Sequence, residues 1–161
     1  MKIAKFARAI ALAGLLAPIS GARADEEKVA LKDVPRAVMD SLKKAFPKAE
    51  IVEAEKETED GKVSYEVELK DGEKSVEVAL KADGTILEVE TEVAAKDLPK
   101  AVTAALLAKY PGSTIEKAEQ VVTFEGGEEK KAYEVELTTA AKKEVEVRVS
   151  PEGKVGEPED D

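Results

Sequence analysis

The pentapeptide Tyr65-Glu-Val-Glu-Leu69 recurs letter for letter as Tyr133-Glu-Val-Glu-Leu137. Each copy alternates apolar and acidic side chains with period two, the pattern of a strand with one face buried and the other exposed. Working outward, the identity extends to a colinear set. Leu31–Glu55 aligns on Ala94–Glu119 at an offset of 64 about the pair Asp33/Asp97. Pro35 falls on Pro99, Val38 on Val102, Leu42 on Leu106, Phe46 on Tyr110 and Pro47 on Pro111. Beyond the pentapeptide, "VEVALKADG" from Val76 aligns on "VEVRVSPEG" from Val145. The chain is a tandem duplication, and the architecture of one copy predicts that of the other.

Each copy reads as a helix followed by four strands. Asp33 and Asp97 are candidate N-caps, and Pro35 and Pro99 suit a first turn, where a missing N–H costs nothing. Val34, Val38, Leu42, Ala45 and Phe46 make an apolar stripe, repeated by Leu98, Val102, Leu106 and Tyr110. Pro47 and Pro111 stop the helices. In the first copy, strands are predicted over Glu50–Thr58, Lys62–Lys70, Glu73–Lys81 and Thr85–Glu90, separated by Asp60-Gly61, Asp71-Gly72 and Asp83-Gly84. Asp-Gly between alternating segments signals a two-residue hairpin turn. These turns predict Ala54 opposite Val67 and Val52 opposite Leu69. They also predict Tyr65 opposite Val78, Val67 opposite Val76, Val78 opposite Val89 and Leu80 opposite Leu87. In the second copy, a tip at Gly126-Gly127 sets Ala118 opposite Val135 and Glu119 opposite Glu134.

The expected fold is therefore α+β: a tandem duplication of a helix plus a four-stranded antiparallel sheet, with the helix packed on one sheet face. The segments are residues 1–24 as a signal peptide, 25–90 as the first repeat, 91–157 as the second and 158–161 as an acidic tail. Lys2, Lys5 and Arg8 precede an uncharged run, Ala9–Ile19, and Ala22-Arg23-Ala24 has the small-x-small form of a cleavage site. Export to the periplasm or medium, with cleavage after Ala24, follows. Eleven residues interrupted by Pro18 are too few to span a bilayer.

Charge narrows the function. Of 25 basic and 35 acidic residues in the 161-residue chain, four basic and no acidic ones lie in the leader. The remainder has 21 basic and 35 acidic side chains, a formal charge of −14. Such a polyanion repels nucleic acid and anionic membranes, and no membrane insertion is expected once the leader is cleaved. The compatible partner is a basic envelope protein or peptide. The same registers predict one row of carboxylates, Glu55, Glu66, Glu77 and Glu90, on the face opposite the helix, with Glu53 and Glu68 beside it. In the second copy Glu119 pairs with Glu134, Glu134 with Glu146 and Glu136 with Glu144. The candidate partner-binding residues are Glu55, Glu66, Glu68, Glu77, Glu90, Glu119, Glu134, Glu136, Glu144 and Glu146.

Catalysis is not expected. The chain has no Cys and no His, and Ser41, Ser64, Ser75, Ser113 and Ser150 sit in no nucleophile motif. No cofactor or metal is predicted: His and Cys ligands for transition metals are missing. The acidic runs Asp25–Glu27, Glu57–Asp60 and Glu157–Asp161 lack the ligand spacing of a calcium loop. A calcium-binding or buffering protein of the envelope is the alternative reading of the carboxylates, and a merely solubilising charge is the plainest one.

The paired cassettes, from first-turn Pro through the aromatic-Pro stop to the Tyr-Glu-Val-Glu-Leu strand, resemble the PepSY-like, beta-lactamase-inhibitor-like domains of bacterial envelopes over nearly all of Val29–Val155. The resemblance implies a repeated helix-plus-sheet fold, with the two sheets forming a concave surface, and periplasmic protein binding of an inhibitory or regulatory kind. It brings no catalytic residues.

Overall fold

The computed structural model describes residues 25–59 and 61–159. The predicted leader and its cleavage point, Asp60 of the first predicted turn, and the last two residues of the acidic tail lie outside these.

Nine strands form one antiparallel sheet in sequence order. They are β1 (Asp25–Lys28), β2 (Glu50–Glu59), β3 (Lys62–Asp71), β4 (Lys74–Lys81), β5 (Ile86–Glu92), β6 (Thr114–Glu125), β7 (Glu128–Thr138), β8 (Glu144–Val149) and β9 (Val155–Glu159). Helix α1 (Arg36–Ala45) lies between β1 and β2, and α2 (Lys100–Lys109) between β5 and β6. This overturns the expectation of a helix plus a separate four-stranded sheet in each copy. The edge of β5 pairs with β6 from Glu88↔Thr123 to Glu92↔Glu119, so the two copies share one continuous ladder. Physically, two edges with unsatisfied N–H and C=O groups close on each other rather than on water.

The count of nine follows from the duplication. Lys28 pairs with Glu55 and Asp25 with Thr58; at the offset of 64 these become Glu92↔Glu119 and Val89↔Val122, both observed. Val29 N–H donates to the Ala54 carbonyl at 2.9 Å, and Val93 N–H to the Ala118 carbonyl at 2.9 Å. β5 is thus at once the last strand of the first copy and the leading strand of the second, the role β1 has on β2. The boundary drawn between residues 90 and 91 falls inside this strand, and Pro158 and Glu159 of the acidic tail lie in β9.

Several local expectations also change. Asp33 and Asp97 do not cap the α-helices. They end short 3-10 turns, Leu31–Asp33 and Ala95–Asp97, and Pro35 and Pro99 occupy the N-cap positions with ψ near 140°. Two registers move by two residues. Asp71 pairs with Lys74, so the turn is Gly72-Glu73, with Gly72 at φ +66 as the first central residue, the position a type II′ turn gives to glycine. Tyr65 therefore faces Leu80, and Val67 faces Val78. A bulge at Val52 leaves Ile51, not Val52, opposite Leu69, and a second bulge puts Leu80 opposite Ile86 rather than Leu87. Ala54↔Val67, Val78↔Val89, Ala118↔Val135 and Glu119↔Glu134 stand as expected.

Two apolar cores lie on one side of the sheet. Val34, Val38 and Leu42 pack with Ala54, Tyr65, Val67, Leu69, Val76, Val78 and Leu80. Leu98, Val102 and Leu106 pack with Ala118, Val135, Leu137, Val147 and Val149. Ten-residue helices are marginal alone in water, so these faces hold them in place. The hairpin turns clamp the other side of each helix. Gly84, at φ +84, lies so close to α1 that a Cβ would come within 2.5 Å of the Ala37 carbonyl oxygen. Gly153, at φ +91, would bring one to 2.7 Å from that of Ala101. Gly84→Ala and Gly153→Ala should each cost at least about 2 kcal/mol, from positive-φ strain and the displaced helix. Gly61→Ala, whose Cβ would meet nothing within 4 Å, should cost about 1 kcal/mol. Urea unfolding of the three variants measures the difference.

Candidate functional site

Side chains alternate along every strand, so pairing carries one parity across the whole sheet. With Ala54, Val67, Val78, Ala118, Val135 and Val147 turned to the helices, the opposite face collects glutamates from seven strands, β2 to β8. No described element covers it. The registers lay them in rows. One runs Lys28–Glu55–Glu66–Ala79–Glu88–Thr123–Lys130, and the next runs Glu53–Glu68–Glu77–Glu90–Val121–Ala132. Two shorter rows follow, Glu92–Glu119–Glu134–Arg148 and Lys117–Glu136–Glu146.

All ten sequence-predicted glutamates lie on this face, but not in the predicted order. Glu66 neighbours Ala79 rather than Glu77, and Glu77 lies between Glu68 and Glu90. Glu134 faces Arg148 rather than Glu146; Glu136 faces Glu146, and Glu144 faces Thr138 at the exposed end of β8. The two-residue shift at Gly72-Glu73 and its counterpart between β7 and β8 account for each change.

Much of the face is buried. Glu57, Glu88, Glu90, Glu119 and Glu134 keep 7% or less of their surface. Val121 is wholly buried among them, with Ala79 nearly so. With no layer above, that burial comes from mutual packing on a twisted, curling sheet. Carboxylates held so closely need compensation, and several cations supply it. Arg148 donates from Nη2 and Nε to Glu134 Oε2, at 2.8 and 3.2 Å, and from Nη1 to Glu88 Oε2 at 3.4 Å. Thr123 Oγ1 donates to the same Glu88 oxygen at 2.9 Å. At the β1 end Lys28 Nζ lies 2.6 Å from Glu53 and 3.9 Å from Glu55. Lys117 lies 2.9 Å from Glu119.

In the first copy a proton takes the place of a cation. Burial, with a hydrogen bond to Glu77 and repulsion from Glu77, Glu90 and Glu55, pushes the Glu66 carboxyl up to about 9. At neutral pH it is a neutral acid.

Sequence reasoning missed Glu57, Glu88, Arg148 and Thr123. Glu88 and Arg148 become visible only with the correct turns, since a shift by two preserves the face but changes every neighbour along it. Among the described residues no group of three or more His, Cys, Asp or Glu side chains is placed to hold a metal ion. None of the described helices is long and apolar enough to cross a membrane.

Two outcomes test this electrostatic account. Glu66 holds its proton in the fold up to about pH 9 against an ordinary 4.5. The unfolded chain gives up that proton first, so the contribution of Glu66 to stability is full below pH 4.5 and is lost as the pH rises through 9. Glu66→Gln removes that slope. At pH 9 it should be more stable than the parent by several kcal/mol, with little difference at pH 4, read from thermal unfolding across the range. Arg148→Ala should destabilise by about 2 kcal/mol at pH 7, because Glu88 and Glu134 lose their shared guanidinium while remaining buried.

The comparisons agree with this architecture. The family model described as "Putative beta-lactamase-inhibitor-like, PepSY-like" matches residues 22–88 and 63–157, two overlapping segments that reflect the duplication. No curated protein sequence matches the chain. Among solved structures, a BLIP-like protein from Bacteroides fragilis is 23% identical. That match covers 78% of this chain and 85% of the other, with a TM-score of 0.61. A DUF2874 family protein from Bacteroides uniformis is 19% identical, covering 78% and 88%, at 0.64. A protein described as periplasmic from Bacteroides eggerthii is 18% identical, covering 78% and 88%, at 0.65. At these identities the structures show a shared fold, while the family model spans nearly the whole described chain. This protein belongs to the beta-lactamase-inhibitor-like, PepSY-like family.

Proposed function

We propose that the chain is a non-catalytic binding module of the bacterial periplasm, and that it recognises a basic protein or peptide through the carboxylate face of its sheet. The observation that carries the reading is that face itself: acidic rows from both copies on the same side of one sheet, beneath no other described element. Maintaining it costs stability, since like charges opposite each other on neighbouring strands repel. A basic partner would relieve the repulsion on docking, and complementary charge would speed its encounter. The absence of Cys and His throughout the sequence removes the usual nucleophiles and bases from consideration. The description of the Bacteroides eggerthii relative as periplasmic supports that compartment.

The half-buried pairs Glu68/Glu77 and Glu136/Glu146, one in each copy, offer the test because each sets two carboxylates opposite one another on neighbouring strands. Reversing all four to Lys should abolish capture of partners from an envelope extract. Capture by the parent should weaken as ionic strength rises from about 0.05 to 0.5 M, as screening predicts. Capture that survives both the reversal and the salt, with the variant shown to be folded, would place the binding surface elsewhere.

A further inference from the structure

The repeat makes a statement about where the sheet ends. β9 is to the second copy what β5 is to the first. Val149↔Val155, Val147↔Pro158 and Glu146↔Glu159 reproduce Leu80↔Ile86, Val78↔Val89 and Glu77↔Glu90 residue for residue, bulge included. In the first copy that strand is not an edge, because β6 adds to its outer side. In the second copy, among the described residues, the same outer side has no strand beside it.

Two substitutions between the copies fall at this edge. Val93 N–H donates to the Ala118 carbonyl of β6. Along an antiparallel strand every second residue turns its N–H to the same neighbour, so Val89 directs its own toward β6 as well. The counterpart of Val89 is Pro158, which has no N–H to offer. Pro158 still fits opposite Val147, because its nitrogen points away from β8. Close by, the Gly156 carbonyl accepts a hydrogen bond from Lys109 Nζ at 2.7 Å, which lays a charged side chain from α2 against the strand. The first copy has Ala45 where the second has Lys109. A proline within a terminal strand blocks pairing at a sheet edge, and the charged Lys109 side chain laid against the strand from α2 adds to it.

What such an edge would pair with is also set by the repeat. The counterpart of β6 is β2, whose outer side is covered, among the described residues, by the four residues of β1, in the register that β5 uses on β6. We infer that Pro158 and Lys109 close the β9 edge against a second copy of this chain, whose β2 would otherwise add there as β6 adds to β5, displacing β1. The device ends the sheet after two copies and prevents head-to-tail growth of a heterologous, non-closing array.

The test restores the first copy's residues at the edge. Pro158→Val and Lys109→Ala both alter exposed positions, so the fold should persist, which circular dichroism checks. In sedimentation velocity the double variant should form dimers and longer species where the parent sediments as one chain. Each recovered backbone hydrogen bond should lower the half-association concentration by about tenfold. Deleting residues 25–28 in the double variant should lower it further by uncovering β2. A folded double variant that keeps the parent's mass at every concentration would overturn the inference. So would a parent whose own association is abolished by a second proline in β9. Association that the deletion leaves unchanged or weakens would rule out β2 as the acceptor.

Discussion

The structure depends on the backbone ladder between β5 and β6, which makes one strand serve two copies. In a hairpin, pairing is dictated by a local turn. Here it spans α2 and is dictated by the need of two edges to satisfy their N–H and C=O groups. Once β5 is shared, the parity of side chains is common to all nine strands. The helix that follows β5 must then cover the same side as the helix that follows β1. Segregation of both cores to one face and of the glutamates to the other is a consequence of that single join.

The acidic face carries the cost. Repulsion among cross-strand glutamates is countered by different means in the two copies, because the copies have different neighbours. In the second, Arg148 spans from β8 across to Glu88 on β5, so the guanidinium also ties the first copy's last strand to the second copy's interior. In the first, no such arginine exists; the counterpart of Arg148 is Ala79, and Glu66 keeps a proton instead. Val121 shows the same logic in apolar form. Its counterpart is Glu57, near the β1 edge, whereas Val121 lies at the middle of the face beside Glu90, where another charge would meet more of its own kind.

Much of the fold was legible in the sequence because its signals are local. The Tyr-Glu-Val-Glu-Leu alternation fixed which side chains turn inward, and the repeat fixed where helices begin and end to within a residue or two. The two caps misread, Asp33 and Asp97, lie where the chain takes a 3-10 turn before Pro35 and Pro99, and a proline at the N-cap was not distinguishable from one in the first turn. The registers slipped because Asp71-Gly72-Glu73 contains two candidate turn pairs. Asp-Gly and Gly-Glu both place glycine at positive φ, and a slip of two leaves inward residues inward. The acidic face was therefore recognised as a set while its pairings were not. The β5–β6 join and β1 left no readable mark: neither is a hairpin product, and Asp25–Lys28 has no apolar alternation.

The divergence between copies tells where selection acts on a duplicated sheet. Positions that keep the same environment keep the same residue or its like, as Val67 and Val135 do under the two helices or Gly84 and Gly153 against the helix backbones. Residues change where the duplication itself altered the surroundings. Lys56, next to the edge strand, becomes Gln120, which sits inside the sheet and donates to Tyr133 rather than reaching for water. The last strand, bordering no successor, exchanges Val89 for Pro158. A perfect repeat would present the same adhesive edge at its end as at its middle. A finite sheet requires that the copies differ, and the differences fall where the ladder must continue in one case and stop in the other.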